Sequence, residues 1–566
     1  MISFIRKLNI AGFLIIISGL FYYQVIQGDY FSRRAQDNFI RLIPKTAPRG
    51  IIYDRNGTAL VKNVMNFQIC VFAKSPDSKI IGQISRIIEV DVNILKQTFK
   101  KNYVAKFIPT PVYSTTKREK ILKLEEKNLA EVAIRLEPTR KVVSPYSLAH
   151  LVGYTRKLSK EHVFLRKYGY SLREDIGYAG IERYYDDYLR GKPGGTQLEV
   201  DSYGRTVNML SSKSPVAGKD LYTTIDLKIQ NAAFDSLKGY SGTLILTEAD
   251  TGKIIAMASR PSFDINLFTD SRKYLVQVSQ DPENPLLYRA IQGTYPLGSV
   301  FKPAVALAGL QEGKISEDTK FLCTGQFRLQ NSRFKCWSTH GWQDLIGGLL
   351  HSCNVYFYNT GVRTGPDGIT SYAKSLGLGE LTNIDIPFEK KGLIPTPKWK
   401  QKTLHQQWYT GDTVNLSIGQ GYTLVTPIQV QRYINFFATG GYLVQPYIVS
   451  RIDNIDIPIR NKGLVNINIK NHNIGLINKG LREAVDHTQG TAHILEILDM
   501  KIAGKTGTAQ VARRKSHGWF AGFFPYPKPK YSIVVMLENS GSSYHACRIA
   551  YKFLRQVKKE LISDEK

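Results

Sequence analysis

Ala503-Gly504-Lys505-Thr506-Gly507-Thr508-Ala509 is the stretch of this sequence that decides the fold. It is the third member of an ordered set, after Ser299-Val300-Phe301-Lys302 and Ser352-Cys353-Asn354. Serine enzymes that work through an acyl ester carry these three elements in this order. The set predicts an activated serine, a proton shuttle and a carboxylate-binding strand in one cleft.

Ser299 is the candidate nucleophile because of the sequence around it. Pro296 and Gly298 indicate a turn, and the Ala/Leu/Val-rich run at 304–312 predicts a helix. Ser299 would then lie at a helix N-terminus, with Lys302 one turn later on the same face. Backbone N–H groups at such a terminus favour developing negative charge. A plain helix N-cap is the alternative for an isolated Ser-x-x-Lys pattern, which the chain repeats at Ser114, Ser332, Ser371 and Ser563.

The composition limits the classes of partner. The chain has 566 residues and a net charge of +29, from 76 Lys and Arg against 47 Asp and Glu. This length allows roughly three or four domains. A basic balance is compatible with nucleic acid, an anionic membrane or an acidic polymer. The basic residues are scattered and the sequence has no nucleic-acid motif, so we expect a solvated basic surface and no nucleic-acid partner.

The N-terminal region predicts a membrane anchor. Residues 8–26 are uncharged and would span about 28 Å as a helix, close to the thickness of a bilayer core. Arg6 and Lys7 precede them, which predicts a cytoplasmic N-terminus. No small-x-small cleavage site follows, so an uncleaved anchor is favoured over a signal peptide. We predict a cytoplasmic tail at 1–7, a transmembrane anchor at 8–27 and the bulk of the chain on the far side of the membrane.

Beyond the anchor, the patterns divide into two parts and a short tail at 561–566. Residues 28–220 mix helical, apolar and Gly-rich segments and predict an elongated domain of mixed structure. In residues 221–560, strands at both ends with helices between them predict an α+β fold whose sheet joins the two ends. The expected elements are a hairpin at 242–259, helices at 304–312 and 344–363, strands at 516–525 and 531–538, and a helix from Ala546.

Together these motifs resemble the class B penicillin-binding proteins, and most closely their penicillin-binding protein 2 group of the rod-elongation machinery. The resemblance implies a single anchor in the bacterial inner membrane, with the bulk of the chain in the periplasm. It further implies a pedestal (dimerisation-type) domain and a transpeptidase domain with an antiparallel five-stranded sheet flanked by helices. No glycosyltransferase signature is seen. Besides the three motifs, the matching segments are 49–57, 177–182, 284–295, 419–422, 426–427 and 517–522.

The resemblance implies a peptidoglycan D,D-transpeptidase that crosslinks stem peptides in cell-wall elongation and cell-shape maintenance, and it allows a residual D,D-carboxypeptidase activity. A division-type transpeptidase is the nearest alternative, and a membrane-anchored serine β-lactamase is a further one. A purely scaffolding protein is disfavoured by the intact motifs. The expected partners are stem peptides, β-lactam antibiotics, the membrane, a polytopic SEDS-type glycosyltransferase and scaffold proteins of the elongation machinery.

The resemblance also assigns roles to the motif residues. Ser299 would be the nucleophile, and Lys302 its base if burial and the nearby charge of Lys505 keep it neutral. Ser352 would pass the proton to the departing amine, and Asn354 would hydrogen-bond the substrate amide. The backbone N–H groups of Ser299 and Thr508 would form the oxyanion hole. Lys505, Thr506 and Thr508 would bind the terminal carboxylate, and Gly507 would let the backbone approach the substrate closely.

Three of the five cysteines lie within 31 residues, with His340 among them. Three thiols and an imidazole are a common structural zinc composition, although the spacing is not that of a zinc finger. Metal-binding members of the penicillin-binding protein 2 group carry a comparable site. A disulfide between Cys323 and Cys336 is the alternative. We expect one structural zinc that braces the Ser352 loop, no organic cofactor, and the ligands Cys323, Cys336, His340 and Cys353.

Overall fold

The chain divides into two compact units that interleave along the sequence. The first comprises residues 1–50, 63–140 and 190–219, and the second 51–62, 141–189 and 220–566. The predicted domain limits at 28, 221 and 561 stay predictions. The structure is a computed structural model, and it describes residues 2–30, 40–73, 75–103, 109–129, 131–157, 175–200, 206–458, 462–464 and 469–563.

The first unit begins with an apolar helix over Ile2–Phe21 that continues as a π-helical turn over Tyr22–Ile26. Within the described residues, Phe4–Ile26 is the one segment long and apolar enough to cross a membrane, judged by length and composition. Its large apolar side chains, such as Phe13 and Ile15, are exposed, as expected of a lipid-facing helix. This helix corresponds to the anchor predicted at 8–27.

The rest of the first unit combines short helices with antiparallel strands. Ile81, Ile84 and Ile88 form the buried stripe of one amphipathic helix, and they pack with Leu95 and Phe99 of the next. This small core carries none of the predicted catalytic residues. The helices are Lys79–Ile88, Val92–Asn102 and Arg118–Glu125, and the strands, two of which extend past the limits of the unit, are Ile40–Lys45, Ala59–Val71, Thr110–Thr115, Val132–Val142, Gly194–Val200 and Thr206–Lys213.

The second unit is organised around a five-stranded antiparallel sheet, as predicted. Its spatial order is β2-β1-β5-β4-β3, so strands from the two ends of the unit pair at β1 and β5. The hairpin expected at 242–259 is the pair β1 and β2. The strands are β1 (Gly242–Glu248), β2 (Ile254–Arg260), β3 (Ala503–Val511), β4 (Arg514–Phe524) and β5 (Tyr531–Leu537).

Helices cover both faces of this sheet. Alternate residues of β5 serve the two sides: Val534 packs in the same core as Val300, whereas Val535 packs with Phe553 of the closing helix. Both faces are therefore buried, and the sheet is a rigid base for the cleft at its β3 edge. The helices used below are α1 (Lys302–Gln311), α2 (Leu345–Leu350), α3 (Asn354–Ser375), α4 (Asn471–Asp486) and α5 (Ser543–Ser563).

The prediction of one helix over 344–363 is wrong. The segment forms α2 and α3 with a break at 351–353, where Ser352 adopts a left-handed conformation with φ of 52°. The closing helix α5 begins at Ser543, before the expected Ala546, and runs to Ser563.

Smaller elements complete the second unit. The strands are Ile52–Tyr53, Thr155–Lys157, Asp175–Gly177, Leu221–Thr223, Phe321–Cys323, Gln326–Leu329, Ser332–Lys335, Gly341–Gln343, Tyr442–Val444, Val449–Ile452, Ile455–Asp456 and Lys462–Leu464. The helices are Ala149–Val152, Gly180–Tyr184, Asp186–Leu189, Leu227–Ser236, Ile265–Asp270, Arg272–Gln280, Pro397–Leu404, Thr410–Leu416 and Pro427–Ala438, with 3₁₀ turns at Gly298–Phe301 and His493–Leu498.

Candidate active site

Ser299 lies in the 3₁₀ turn that leads into α1, and it lines a cleft of about 710 Å³. Glycine precedes it for a steric reason. Gly298 has φ of 58°, and a Cβ atom there would lie 2.8 Å from the carbonyl oxygen of Thr508. The Gly298 N–H donates to the carbonyl of Gly419 at 2.9 Å. The turn is therefore held between β3 and the 419–421 segment, which fixes where the serine emerges.

Gly507 allows the same close approach from the side of β3. A Cβ atom at this position would lie 2.9 Å from both the carbonyl oxygen of Leu297 and a methyl group of Val300. A larger residue would push the strand away from the turn that carries Ser299. The Lys-Thr-Gly triplet therefore needs its glycine for packing against the Ser299 turn.

Lys302 connects the first motif to the second. Its side chain is completely buried, and its Nζ donates to the Ser352 carbonyl at 2.7 Å, to Asn354 Oδ1 at 2.8 Å and to Ser352 Oγ at 3.1 Å. Burial lowers the pKa of Lys302 to about 7, and negative charge on the nearby sulfurs of Cys353 and Cys336 acts in the opposite direction. Near neutral pH a substantial fraction of this amine is unprotonated, as a base requires.

The loop that carries Ser352 is held from outside by hydrogen bonds. Trp337 Nε1 donates to the carbonyl of His351 at 3.0 Å. Asn354 Nδ2 donates to the carbonyl of Lys335 at 3.4 Å, while Asn354 Oδ1 accepts from Lys302. Both ends of the Asn354 amide thus have protein partners, so a substrate amide would have to compete with or replace the long contact to Lys335.

Lys505 lies behind the cleft wall. Its side chain is fully buried, and burial together with the charge of Lys302 holds the pKa of Lys505 well below its ordinary value. The cleft is lined instead by Thr506 and Thr508. The hydroxyl of Thr506 bonds that of Thr491 at 2.9 Å. The structure therefore brings the third motif to the cleft through its threonines, with the lysine beneath them.

Several cleft residues had no catalytic signal in the sequence. Gln420 donates to the Thr508 carbonyl at 3.3 Å and lies in the 419–422 segment that carried part of the family resemblance. Thr491 follows α4, and no sequence pattern marks it. Among the described residues that line the cleft, the charged side chains are Arg333 and Lys335. Uncharged residues without a sequence signal also line it: Asn415, Ile418, Gln510, Ser542, Ser543 and Tyr544.

The predicted Cys/His cluster is assembled behind the Ser352 loop. One candidate ligand atom from each of the four side chains lies within 4.8 Å of the others, and none of the five cysteines forms a disulfide. His340 Nδ1 lies 3.5 Å from the sulfur of Cys323 and 3.5 Å from that of Cys336. Tetrahedral zinc, with Zn–S about 2.3 Å and Zn–N about 2.0–2.1 Å, requires an N···S separation of roughly 3.6 Å. The donor set and these distances fit zinc.

Comparison with known proteins identifies the class. The model of the penicillin-binding protein transpeptidase domain matches residues 242–558, and that of the penicillin-binding protein dimerisation domain matches residues 44–223. The chain therefore belongs to the class B penicillin-binding proteins.

Several of its relatives and similar solved structures belong to the penicillin-binding protein 2 group. The chain is 30% identical to the peptidoglycan D,D-transpeptidase MrdA of Escherichia coli (strain K12), over 96% of this chain and 91% of that protein. Penicillin-binding protein 2 of Helicobacter pylori, in its complex with MreC, superposes with a TM-score of 0.82 at 26% identity, over 92% of this chain and 99% of that one. A chain from a peptidoglycan synthase complex that coordinates polymerization and crosslinking superposes with a TM-score of 0.74 at 28% identity. The superposition covers 98% of this chain and 97% of that one. The predicted resemblance is confirmed.

Proposed function

We propose that this protein is a peptidoglycan D,D-transpeptidase of cell-wall elongation that works through an acyl ester on Ser299. The observation that carries the proposal is the meeting of all three motifs in one cleft, where the buried Lys302 bonds both Ser352 and Asn354. The similarity to MrdA proteins supports the elongation role over the division-type alternative.

In the first step, Ser299 Oγ attacks the carbonyl carbon of the penultimate D-alanine of a stem peptide. Neutral Lys302 takes the hydroxyl proton, and the backbone N–H groups of Ser299 and Thr508 stabilise the oxyanion. Ser352 then relays a proton to the nitrogen of the departing D-alanine as the peptide bond breaks. The products are an ester on Ser299 and free D-alanine.

In the second step, the amine of a neighbouring stem peptide attacks that ester. The amine loses a proton to Lys302 by way of Ser352, and Ser299 Oγ leaves as a hydroxyl when the proton is returned. A new peptide bond replaces the one that was broken, so no nucleotide is consumed. Hydrolysis of the ester is the competing carboxypeptidase reaction.

Lys505 changes its protonation state in this proposal. Before the substrate binds, burial and the charge of Lys302 disfavour an ammonium group at Lys505. The pKa of Lys302 is itself lowered by burial, and the lowering by Lys505 that the sequence predicted is not found. When the terminal carboxylate binds at Thr506 and Thr508, the added negative charge favours protonation of Lys505. The lysine then supports the carboxylate from beneath the threonines.

The test of the function is a comparison of acylation with turnover. The full-length protein in detergent is incubated with a fluorescent penicillin, and bound and released label are followed. A transpeptidase should bind one label per chain and release it slowly. Rapid multiple turnover of penicillin would instead establish a β-lactamase. Rounding of cells on depletion supports elongation, whereas filamentation would establish the division-type role.

The rate of acylation should rise with pH and level off above about 7. The pKa of Lys302 is lowered to about 7. The fraction of Lys302 in the neutral form, which acts as the base, therefore falls below that pH and approaches one above it. Acylation should fall about tenfold per pH unit well below 7. Stopped-flow acylation by penicillin from pH 5.5 to 10 measures this. A rate that keeps climbing to pH 10 would mean that the base has an ordinary lysine pKa.

A structural zinc held by Cys323, Cys336, His340 and Cys353 is part of the proposal. The metal would supply a fixed crosslink and no chemistry at the substrate. Cys336 Sγ accepts the backbone N–H of Asn354 at 3.3 Å, so a fixed sulfur would also position the residue that bonds Lys302. What supports zinc is the donor set and the spacing of its atoms.

Metal analysis of the purified protein should find one zinc per chain. Cys336→Ser should lose the metal, lower the Tm and slow acylation by roughly 10–100-fold, because the Ser352 loop loses its support. Cys70→Ala is the matched control, since that buried cysteine lies in the first unit. A purified protein that contains no zinc and shows only three free thiols in a thiol count would establish the Cys323–Cys336 disulfide instead.

The remaining parts of the proposal concern location and partners. The apolar helix anchors the chain in the inner membrane, with Arg6 and Lys7 on the cytoplasmic side and the catalytic domain in the periplasm. The partners are a SEDS-type glycosyltransferase and a scaffold protein. The structures of a penicillin-binding protein 2 with MreC and of a peptidoglycan synthase complex support this part.

A further inference from the structure

A two-stranded hairpin beside the cleft places three cations on one face. It consists of Gln326–Leu329 and Ser332–Lys335 and is called the basic hairpin below. In its register Arg328 lies opposite Arg333, and Gln326 lies opposite Lys335. Residues directly opposite or two apart share a face of an antiparallel pair. Arg328, Arg333 and Lys335 therefore point to the same side, and all three are exposed.

The other face of the basic hairpin is packed, which fixes the orientation of the cations. The rings of Phe327 and Phe334 lie 5.7 and 5.9 Å from the ring of Tyr358 on α3. The base is closed by the N–H of Cys336, which donates to the carbonyl of Gly325 at 2.8 Å. The hairpin is thus a positioned wall of the cleft.

The charges on this wall lack an acidic partner. Like charges directly opposite each other destabilise a strand pair, so the Arg328–Arg333 pairing is unfavourable by itself. Throughout the described residues, no acidic side chain forms an ion pair with any of the three cations. The described lining of the cleft contains Arg333 and Lys335 and no carboxylate. An anionic group bound there would relieve the repulsion.

We propose that Arg333 and Lys335 form a subsite for a carboxylate of the stem peptide other than the terminal one. The inference rests on the proposed function. An arginine guanidinium binds a carboxylate through two parallel hydrogen bonds, and a lysine adds a mobile point charge. The subsite selects peptides that carry a free carboxylate near the reacting bond. That carboxylate belongs to the acyl donor or to the acceptor amine, and the two steps of the reaction separate these sources.

The donor arm of the test uses two D-alanyl-D-alanine peptides that differ at one group. The residue before the D-alanines bears a free side-chain carboxylate in one and a carboxamide in the other. The readout is the ratio of their kcat/KM values for D-alanine release. In Arg333→Gln/Lys335→Gln this ratio should fall about tenfold, which corresponds to roughly 1.4 kcal/mol. Acylation by penicillin shows independently that the proposed function is intact.

The acceptor arm begins from the ester formed with the carboxamide peptide. Two stem peptides that end at the diamine residue are then compared as acceptors, one with a free carboxylate beside the acceptor amine and one with a carboxamide there. The ratio of their aminolysis rates should fall about tenfold in the double variant if the acceptor is bound here. The matched control is Lys314→Gln/Lys528→Gln, which removes the same charge from exposed lysines outside the cleft lining and should leave both ratios unchanged.

A loss of discrimination in the donor or the acceptor arm supports the subsite and identifies its ligand. Unchanged ratios in both arms overturn it, even if absolute rates fall, because a damaged hairpin slows both members of each pair alike. Arg333→Lys/Lys335→Arg keeps the charge and should retain most of the discrimination. Absence of penicillin labelling in the unmodified protein would contradict the proposed function.

Discussion

Ser299→Ala is expected to abolish covalent labelling by a fluorescent penicillin while the protein stays folded. The substitution removes one oxygen atom from a half-buried side chain at the cleft surface and leaves the turn between Gly298 and β3 intact. Loss of the nucleophile in a serine enzyme lowers kcat on the order of 10⁶-fold. Labelling should therefore fall below detection, as measured by gel fluorescence and intact mass.

The control is Ser371→Ala. This serine is also followed three residues later by a lysine, but it is exposed on α3 and outside the described cleft lining. It should label as the unmodified protein does, and both variants should melt within a few degrees of it. Covalent labelling that persists in Ser299→Ala at the stoichiometry of the unmodified protein would show that another residue is the nucleophile.

The sequence predicted the sheet well because its strands carry local signals. The turn at 250–253 between two apolar runs identified β1 and β2, and the strands expected at 516–525 and 531–538 correspond to β4 and β5. The motifs also predicted which residues would share a cleft. The first motif lies at a turn that Pro296 and Gly298 indicate locally, and the fold then brings it against the third motif on β3.

The break between α2 and α3 shows where local reasoning failed. Apolar residues continue through Leu350 and resume at Val355, so the pattern resembles one helix. Ser352 nevertheless has positive φ, which is costly for a serine. Lys302, 50 residues away in sequence, bonds both its carbonyl and its hydroxyl. Tertiary contacts of this kind override the helical pattern and cannot be seen in the local sequence.

The side-chain interactions that hold the segment before the Ser299 turn could not be predicted from the sequence, because they too are long-range contacts. Tyr295 donates to Glu538 at 2.6 Å, and Arg289, almost fully buried, pairs with the same carboxylate at 3.1 Å. The acid lies just past β5, 243 residues from the tyrosine. A charged pair buried at such a sequence separation becomes visible only when the sheet is formed. The burial of Lys505 behind Thr506 and Thr508 belongs to the same class of feature.

Lys302→Met is expected to separate catalysis from stability. The variant keeps a flexible side chain of similar length but has no proton acceptor, so acylation by penicillin should fall about 10²–10⁴-fold, the usual contribution of a general base. Stopped-flow measurements above pH 8, where the native base is neutral, give the comparison. Lys302→Arg is the control, since it restores a charge but no base, and it should be as slow as the methionine variant.

The stability of Lys302→Met at pH 7 should change far less than its rate of acylation. A pKa near 7 in place of 10.5 means that keeping this amine buried costs about 5 kcal/mol at pH 7 and below. Because the unfolded chain binds the proton more tightly, this cost disappears as the pH rises from 7 to above 10. Methionine removes this cost but leaves three acceptors without their donor: the Ser352 carbonyl, Ser352 Oγ and Asn354 Oδ1. Each lost bond costs about 1–3 kcal/mol where the acceptor stays buried. The two effects are of similar size at pH 7, so we expect a Tm close to that of the unmodified protein there and a lower one, relative to it, toward pH 10. A variant that loses acylation and also unfolds at pH 7 would show that Lys302 is chiefly a structural residue, and that the active lysine must be sought elsewhere in the cleft.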